Sequence, residues 1–334
     1  MIQTSAPGKV LLFGEYAVLD GGQALVAAVA RRAHCTVEPA PGVEVIGEGV
    51  GRLAWPDPSA EDLPFARALF ALQAPPPGRY TLESTSFSER GGRMKLGLGS
   101  SAATTVALAA AVRRTTDPAT LFSLAQAAHR TAQGSGSGAD VAAVAFGGVI
   151  AYRWHPEGSL PAGDGAATVR PLSGGRDRLA LAWSGRPAST TALVSRVQAF
   201  AEADPLRHQY WMDQLAEAAE EATFTWSNGG DLTDPAATSI ETLAALGEAA
   251  GVELVLPAHW RLDALAEPHG CRVKPTGAGG GDLAWIVGPD AEAEARAAAA
   301  LSASGERVIW LPVDPVGATL ASGDPTPPGT RVTP

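Results

Sequence analysis

The chain has 334 residues, of which 46% are hydrophobic and 18% are charged, and its formal net charge at pH 7 is −10. This composition is typical of a folded protein and excludes a disordered chain, and the length suggests two domains. The negative charge argues against nucleic acid or an anionic membrane as the main partner.

The cysteines and the N-terminus indicate the compartment. Cys35 and Cys271 are the only cysteines, which gives no disulfide framework and fits a reducing environment. The N-terminus lacks a basic region followed by an apolar run, and the longest helix-like apolar run, residues 102–112, is too short to span a bilayer. We therefore expect a cytoplasmic protein with no membrane partner.

The first 90 residues have patterns that are typical of strands, with one helix among them. Leucine, alanine and phenylalanine at helical spacing predict a helix over residues 61–72, which a run of prolines ends. Apolar runs predict strands at residues 9–13, 25–30, 34–38 and 80–87.

A glycine-serine motif follows at residues 95–104, with the sequence KLGLGSSAAT. Its glycines would let the backbone pass close to a ligand, and Ser100 and Ser101 stand where a helix N-cap belongs, ahead of the run 102–112. The N-terminus of that helix would bind a phosphate. The motif matches neither a Walker A loop nor a dinucleotide fingerprint, and by itself it also fits a glycine turn with an ordinary serine cap.

The remainder of the chain alternates helices with strands. A stretch rich in glycine and proline between residues 154 and 178 marks the domain boundary, so we divide the chain into residues 1–165, residues 166–316 and a loose tail, 317–334. Helices are predicted at 118–132, after Ser189, and at 208–226, 235–250, 257–266 and 289–302, and strands at 147–152, 179–183, 271–274, 283–287 and 307–313.

Lysine is rare in this chain and is unevenly placed. There are three lysines against 22 arginines, and Lys9, Lys95 and Lys274 each lie beside a glycine-rich segment. A lysine supplies a compact ammonium on a flexible stem, which arginine does not. We take the three lysines as a hypothesis for three parts of one site.

Three motifs in a fixed order resemble those of the GHMP small-molecule kinases. They are APGKVLLFGEYAVL at residues 6–19, GLGSSAA at 97–103 and KPTGAGGGD at 274–282. The resemblance implies an α+β GHMP kinase fold with two α/β-sandwich domains. The N-terminal domain would be ribosomal S5 domain 2-like and would bind the nucleotide, the C-terminal domain would be ferredoxin-like, and the active site would lie in the cleft between them.

Within that family the chain most resembles the phosphomevalonate kinase branch, on the segments GEYAVL at 14–19, QGSGSGAD at 133–140 and WSGRPASTTALV at 183–194. This implies ATP- and Mg²⁺-dependent phosphorylation of 5-phosphomevalonate by a monomer or homodimer. A mevalonate kinase is the alternative in the same class. A catalytically silent metabolite sensor is the alternative outside it.

The resemblance also implies the site residues. Lys9, which would bridge the transferred group and the acceptor, and Asp140 are the catalytic candidates, and Ser101 is the candidate magnesium ligand. Candidates for binding ATP are Lys95, Gly97, Leu98, Gly99, Ser100, Ser101 and Ala102. Candidates for binding the substrate are Glu15, Tyr16, Ser135, Ser137, Ser189, Thr190, Gly279 and Gly280.

Some of these roles have alternatives. Asp140 could be a helix N-cap before Val141, and Glu15 could be a buried pairing partner instead of a substrate ligand. His129 stands where mevalonate kinases carry a magnesium-binding glutamate, so the full metal shell is left open. Candidates for the cation that grips the phosphate of the substrate are Arg93, Arg186, Arg196 and His208.

Overall fold

A long antiparallel strand pair forms the centre of the first half of the molecule. The structure, a computed structural model, describes residues 1–48, 50–57, 63–89, 94–134, 136–155 and 167–322. Strands β1 (Ile2–Phe13) and β2 (Gln23–Glu38) pair along most of their length, with register shifts near Gly8 and Phe13. In the first half of β2, residues 24–29 are alanine, leucine and valine and are all buried, so this part of the strand is one continuous apolar run.

Six further strands complete an eight-stranded mixed sheet around this pair. The path β14-β1-β2-β5-β3-β4 forms one side, and β8 pairs with the first part of β2 and carries β9 at its edge. The added strands are β3 (Val43–Gly47), β4 (Gly51–Trp55), β5 (Gly78–Glu83), β8 (Val149–Trp154), β9 (Ala167–Leu172) and β14 (Thr319–Ser322).

Four helices pack with this sheet. They are α1 (Pro64–Leu72), α2 (Ser100–Arg113), α3 (Pro118–Gln133) and α4 (Ala139–Phe146). Ten residues of α2 are buried, and its small alanine side chains allow it to lie close to both β1 and β2. The short ribbon β6 (Ser88–Glu89) and β7 (Met94–Lys95) precedes α2.

The second half has its own antiparallel sheet, in the order β11-β12-β10-β13. Its strands are β10 (Arg178–Trp183), β11 (Arg272–Pro275), β12 (Leu283–Val287) and β13 (Val308–Pro312), and its helices are α5 (Thr190–Ala203), α6 (Pro205–Ser227), α7 (Thr233–Ala250), α8 (Pro257–Ala266) and α9 (Ala291–Ala303). The α+β prediction is confirmed.

One continuous core joins the two halves. Trp285 of β12 meets the Phe13 ring at the end of β1 edge-on, with 5.9 Å between ring centroids, and it also contacts Trp226 of α6. All three side chains are at most 1% exposed. The end of β1 is therefore fixed against the second sheet.

Several predicted boundaries differ from the structure. The predicted strands 25–30 and 34–38 are parts of the single strand β2, and the predicted strand 80–87 ends at Glu83 and continues as a short 3-10 turn. Residues 61 and 62 of the first predicted helix lie outside the described residues.

The division into domains also needs correction. Strand β9 was assigned to the second unit, and β14 to a loose tail, yet both extend the first sheet by pairing with β8 and β1. Each is short and has its partner far away in sequence, so its own composition does not reveal the pairing. Residues 323–334 lie outside the described residues.

His259 shows how burial makes the second half sensitive to pH. Its Nδ1 accepts a hydrogen bond of 3.0 Å from the backbone N–H of Leu256, at the start of α8, and the side chain is 1% exposed. Burial, together with the charge of Arg186, lowers the pKa of His259 to about 4. The unfolded chain therefore binds this proton at a higher pH than the folded chain does, and the free energy of unfolding falls as pH drops through that range.

We expect His259→Gln to weaken the pH dependence of the free energy of unfolding between about pH 6.5 and about pH 4. The slope should fall by up to the contribution of one bound proton, about 1.4 kcal/mol per pH unit. Urea unfolding of both proteins across this range measures the slope. The matched control is His34→Gln, because the His34 side chain is exposed. Equal slopes for wild type and His259→Gln would contradict the assignment.

Candidate active site

A cavity of about 660 Å³ lies where the end of β1, the starts of α4 and α5 and the loop after β11 meet. Its size suits a small-molecule ligand. The predicted residues that line it are Lys9, Glu15, Tyr16, Gly97, Leu98, Ser137, Asp140, Thr190 and Gly279. The predicted residues that are not part of its lining are Lys95, Gly99, Ser100, Ser101, Ala102, Ser189 and Gly280. Ser135 lies outside the described residues.

The loop of residues 97–99, here called the 97–99 loop, leads directly into α2. Gly99 occupies the N-cap position with a left-handed backbone (φ 74°), so the predicted cap residues Ser100 and Ser101 lie in the first turn of the helix instead. No side chain caps the helix, and its first N–H groups are available to an anion. The Ser101 hydroxyl lies 3.3 Å from Nε2 of His129, whose ring stacks on Phe65.

The two glycines of the 97–99 loop make room for charged side chains of the protein itself. A Cβ atom on Gly97 would lie 2.6 Å from the Asp282 carboxylate, and one on Gly99 would lie 2.8 Å from the Lys9 side chain. The backbone N–H of Lys9 also donates a 2.8 Å hydrogen bond to the Leu98 carbonyl. The sequence predicted that these glycines admit a ligand, but their nearest neighbours are Lys9 and Asp282.

Lys9 presents a half-buried ammonium to the cavity. In the described part of the chain, neither an ion pair nor a hydrogen bond engages this ammonium. Asp282, on the other side of the loop, has a left-handed backbone (φ 55°), and its Oδ1 accepts a 3.2 Å hydrogen bond from the Ala188 N–H. Burial raises the pKa of the Asp282 carboxyl, while that hydrogen bond and the charge of Lys9 oppose the rise.

Asp140 lies in the first turn of α4, beside the cavity. Gly138 is the N-cap residue, so the alternative that Asp140 itself caps the helix is wrong. The Asp140 Oδ1 accepts a 2.8 Å hydrogen bond from the N–H of Val141. A carboxylate is stabilised at this end of a helix by the helix dipole.

Glu15 and Lys274 form a fully buried ion pair between the two halves of the molecule. The Lys274 ammonium also donates to the Pro275 carbonyl at 3.0 Å and lies 5.2 Å from the centre of the Phe13 ring. Burial raises the pKa of Glu15 and lowers that of Lys274, and their mutual attraction opposes both effects. Of the two interpretations of Glu15, the structure has the buried pairing partner. Glu15 also lines the cavity.

Tyr16 makes a second connection between the halves. Its hydroxyl donates a 2.7 Å hydrogen bond to the Ala278 carbonyl, and its backbone is left-handed (φ 60°). Burial is the main cause that raises the pKa of the Tyr16 hydroxyl. Tyr16 thus lines the cavity and uses its hydroxyl to hold the loop after β11.

The other predicted substrate residues differ in whether their polar groups are already hydrogen-bonded within the protein. The Ser137 carbonyl accepts a hydrogen bond from the Tyr152 hydroxyl, and Ser189 is the N-cap residue of α5 without a side-chain capping bond. The N–H of Gly280 donates to the Leu254 carbonyl at 2.8 Å, so it is engaged within the protein.

Three of the four predicted phosphate-binding cations do not line the cavity. Arg186 pairs with Glu253, Arg196 donates to the Gly251 carbonyl and His208 lies 3.8 Å from Asp20. Arg93 lies outside the described residues.

Sequence reasoning missed two charged residues that line the cavity, Asp282 and Arg130. Asp282 closes the third quoted motif, which could have drawn notice to it. Arg130 follows His129 on a predicted helix, and nothing in the local sequence distinguishes it from a surface arginine.

The described residues contain neither a membrane-spanning helix nor a cluster of side chains ready to bind a metal. No helix among them combines the length and apolar character needed to cross a membrane. Across the same residues, no three His, Cys, Asp or Glu side chains are grouped so that they could hold a metal ion by themselves.

Known sequences resemble this chain over most of its length. The family model for the GHMP kinases N terminal domain matches residues 71–148. The phosphomevalonate kinase of Streptomyces sp. (strain CL190) is 32% identical over 339 residues, which cover 86% of this chain and 90% of that one. The mevalonate kinase of Aeropyrum pernix is 35% identical over 164 residues, which cover 45% of this chain and 50% of that one.

Solved structures share the fold. A protein from Listeria innocua aligns with a TM-score of 0.86 at 24% identity, over 96% of this chain and 99% of that one. The phosphomevalonate kinase of Streptococcus pneumoniae, in complex with phosphomevalonate and AMPPNP, aligns with a TM-score of 0.77 at 18% identity, over 93% of this chain and 99% of that one.

The fold and the cavity together define a small-molecule kinase. The N-termini of α4 and α5 and the unpaired Lys9 converge on this cavity, which suits the charge stabilisation that phosphoryl transfer needs. The chain belongs to the GHMP kinase family, which confirms the resemblance of its three motifs.

We expect the Glu15–Lys274 pair to contribute strongly to stability, because removing one partner leaves the other buried and uncompensated. Lys274→Met should lower the free energy of unfolding by about 3–5 kcal/mol, and Glu15→Gln combined with Lys274→Met should recover a large part of that loss. Urea unfolding of the double-mutant cycle measures the coupling. The exposed pair Glu292–Arg296 is the control and should couple by less than about 1 kcal/mol. A coupling energy near zero for the buried pair would contradict this view.

Proposed function

We propose that the protein transfers the γ-phosphoryl group of ATP to the phosphate of (R)-5-phosphomevalonate and produces 5-diphosphomevalonate, in the mevalonate pathway of isoprenoid synthesis. The observation that carries the proposal is the convergence of the starts of α4 and α5 with Lys9 at one cavity, which the 97–99 loop before α2 also lines. Each helix start attracts an anion, so this arrangement suits a phosphorylated donor and a phosphorylated acceptor.

The choice of 5-phosphomevalonate as the acceptor is supported by relatives of similar sequence. The phosphomevalonate kinase of Streptomyces is similar over 86% of this chain, and that of Saccharolobus solfataricus is 26% identical over 87% of it. Nucleotide use is supported by the Streptococcus structure, which has the same fold and binds AMPPNP together with phosphomevalonate.

Lys9 is the residue that we assign to the transferred group. Its backbone is hydrogen-bonded to Leu98 and its stem lies against Gly99, so its position is set relative to the start of α2. A positive charge that is held in place and has no carboxylate partner can neutralise the charge that spreads over the transferred phosphoryl oxygens.

Asp140 has a different role in this proposal from that of a general base. The phosphate of the acceptor has a second pKa near about 6 and is mostly dianionic at neutral pH, so no proton has to be removed from it. A carboxylate at the start of α4 would instead orient Lys9 or a metal-bound water.

Mg²⁺ is the metal that the family implies, and the side chains around the cavity fit it. Asp140 and Asp282 line the cavity, and Ser101 lies outside its lining in the first turn of α2. All three offer the oxygen donors that Mg²⁺ prefers, and Mg²⁺ usually takes one or two carboxylates together with phosphate oxygens and water. When bound with the nucleotide, it would neutralise phosphate charge.

Two alternatives remain as outcomes of the tests. A mevalonate kinase would phosphorylate the alcohol of mevalonate and would need a base. The similarity to the mevalonate kinase of Aeropyrum pernix, over 45% of this chain, supports this alternative. A silent metabolite sensor would bind ligands without turnover.

The acceptor can be tested directly. We expect ATP-dependent turnover with 5-phosphomevalonate to exceed turnover with mevalonate by at least about tenfold, a difference of about 1.4 kcal/mol in transition-state stabilisation. Release of ADP, measured in parallel with the two acceptors, gives the ratio. Equal or faster turnover with mevalonate would overturn the assignment, and no turnover with either would favour the sensor.

The role of Lys9 predicts that its shape matters as well as its charge. Because the Lys9 stem already lies against Gly99, the wider guanidinium of Lys9→Arg should not fit, and this variant should fail nearly as badly as Lys9→Met. Both should lose about a hundredfold in kcat, about 3 kcal/mol, with little change in the KM for ATP. Steady-state kinetics measure this, and near wild-type activity of Lys9→Arg would refute it.

A further inference from the structure

One face of α3 presents polar side chains to the cavity. Gln126, His129, Arg130 and Gln133 lie at positions i, i+3, i+4 and i+7 of this helix, and all four line the cavity. Residues at this spacing share one face of a helix. The apolar residues Leu121, Ala125 and Ala128 of α3 are buried, so it is mainly the polar, partly exposed side of the helix that is turned toward the ligand space.

Among the described residues that line this cavity, Arg130 is the only arginine. Its guanidinium carbon lies 3.9 Å from the ring centre of Trp154, which also lines the cavity. In the described ranges, no carboxylate pairs with this guanidinium and no carbonyl accepts a hydrogen bond from it. A guanidinium that is stacked on an indole keeps its N–H groups free at its edge, in the fork that matches phosphate oxygens.

Arg130 and His129 point to different neighbours although they are adjacent in sequence. His129 contacts the Ser101 hydroxyl at the start of α2, whereas Arg130 contacts Trp154 at the end of β8. The charges of Asp140 and Arg130 both act on the Tyr152 hydroxyl, whose pKa burial raises, and that hydroxyl donates to the Ser137 carbonyl. Arg130 therefore belongs with the segment that leads into α4, away from the 97–99 loop.

The charge in the cavity indicates what Arg130 is for. Among the described residues that line the cavity, Lys9 and Arg130 are the cations without an ion-pair partner, and Asp140 and Asp282 add negative charge. With Lys9 beside the start of α2, a second phosphorylated ligand near α4 needs a cation of its own.

We propose that Arg130 binds the phosphoryl group that the acceptor already carries and thereby selects a phosphorylated acceptor over a free alcohol. This assignment rests on the proposed function. A mevalonate molecule in the same place would leave the guanidinium without an anion, and a site with an unsatisfied polar group discriminates strongly against such an analogue.

Kinetics of Arg130→Met and Arg130→Lys test the proposal. We expect Arg130→Met to raise the KM for 5-phosphomevalonate by at least about tenfold while the KM for ATP stays within about twofold, and Arg130→Lys to fall between wild type and Arg130→Met. The matched control is Arg153→Met, which removes an exposed arginine that pairs with Glu220 next to Trp154 and should leave both KM values unchanged.

Two results would overturn the proposal. A rise in the KM for ATP without a rise for the acceptor would place Arg130 at the donor, and unchanged values for both would leave it as packing for Trp154. Failure of the proposed function is seen separately, as absence of wild-type turnover with phosphomevalonate. In that case calorimetry with inorganic phosphate still decides: binding that is about tenfold weaker to Arg130→Met supports a phosphate site, and equal binding contradicts it.

Discussion

The buried contact between Glu15 and Lys274 is the interaction on which the rest of the cleft depends. Glu15 follows β1, which carries Lys9, and Lys274 belongs to β11, whose following loop carries Asp282. Because both charges are out of water, their separation would leave each one uncompensated. The pair thus fixes the distance between the strand that presents Lys9 and the loop that carries Asp282 on the other side of the cavity.

Within that frame, the 97–99 loop is held from both sides. Lys9 and Asp282 occupy the space that side chains at residues 99 and 97 would take, and the Leu98 carbonyl accepts the N–H of Lys9. The start of α2 is therefore positioned by protein contacts before any ligand binds. A site that is organised in advance needs little rearrangement when charge develops in the transition state.

Local sequence pattern predicted much of this molecule, and it failed where contacts are distant in sequence. The central helix followed from its local pattern, whereas the α+β class and the assignment of Lys9, Asp140 and Ser137 to one site followed from the resemblance to the GHMP kinases. The strands β9 and β14 did not, because short edge strands are defined by their partners and not by their own composition. Arg130 was missed for the same reason, since its contact with Trp154, which is distant in sequence, is what makes it differ from a surface arginine.

The role proposed for Lys9 is tested most directly by a crystal structure of the protein with a non-hydrolysable ATP analogue and 5-phosphomevalonate bound together. We expect both ligands in the cavity, with Nζ of Lys9 within hydrogen-bond distance of a γ-phosphoryl oxygen and of an oxygen of the acceptor phosphate. A structure in which Lys9 contacts neither ligand, or in which the acceptor binds outside this cavity, would contradict it.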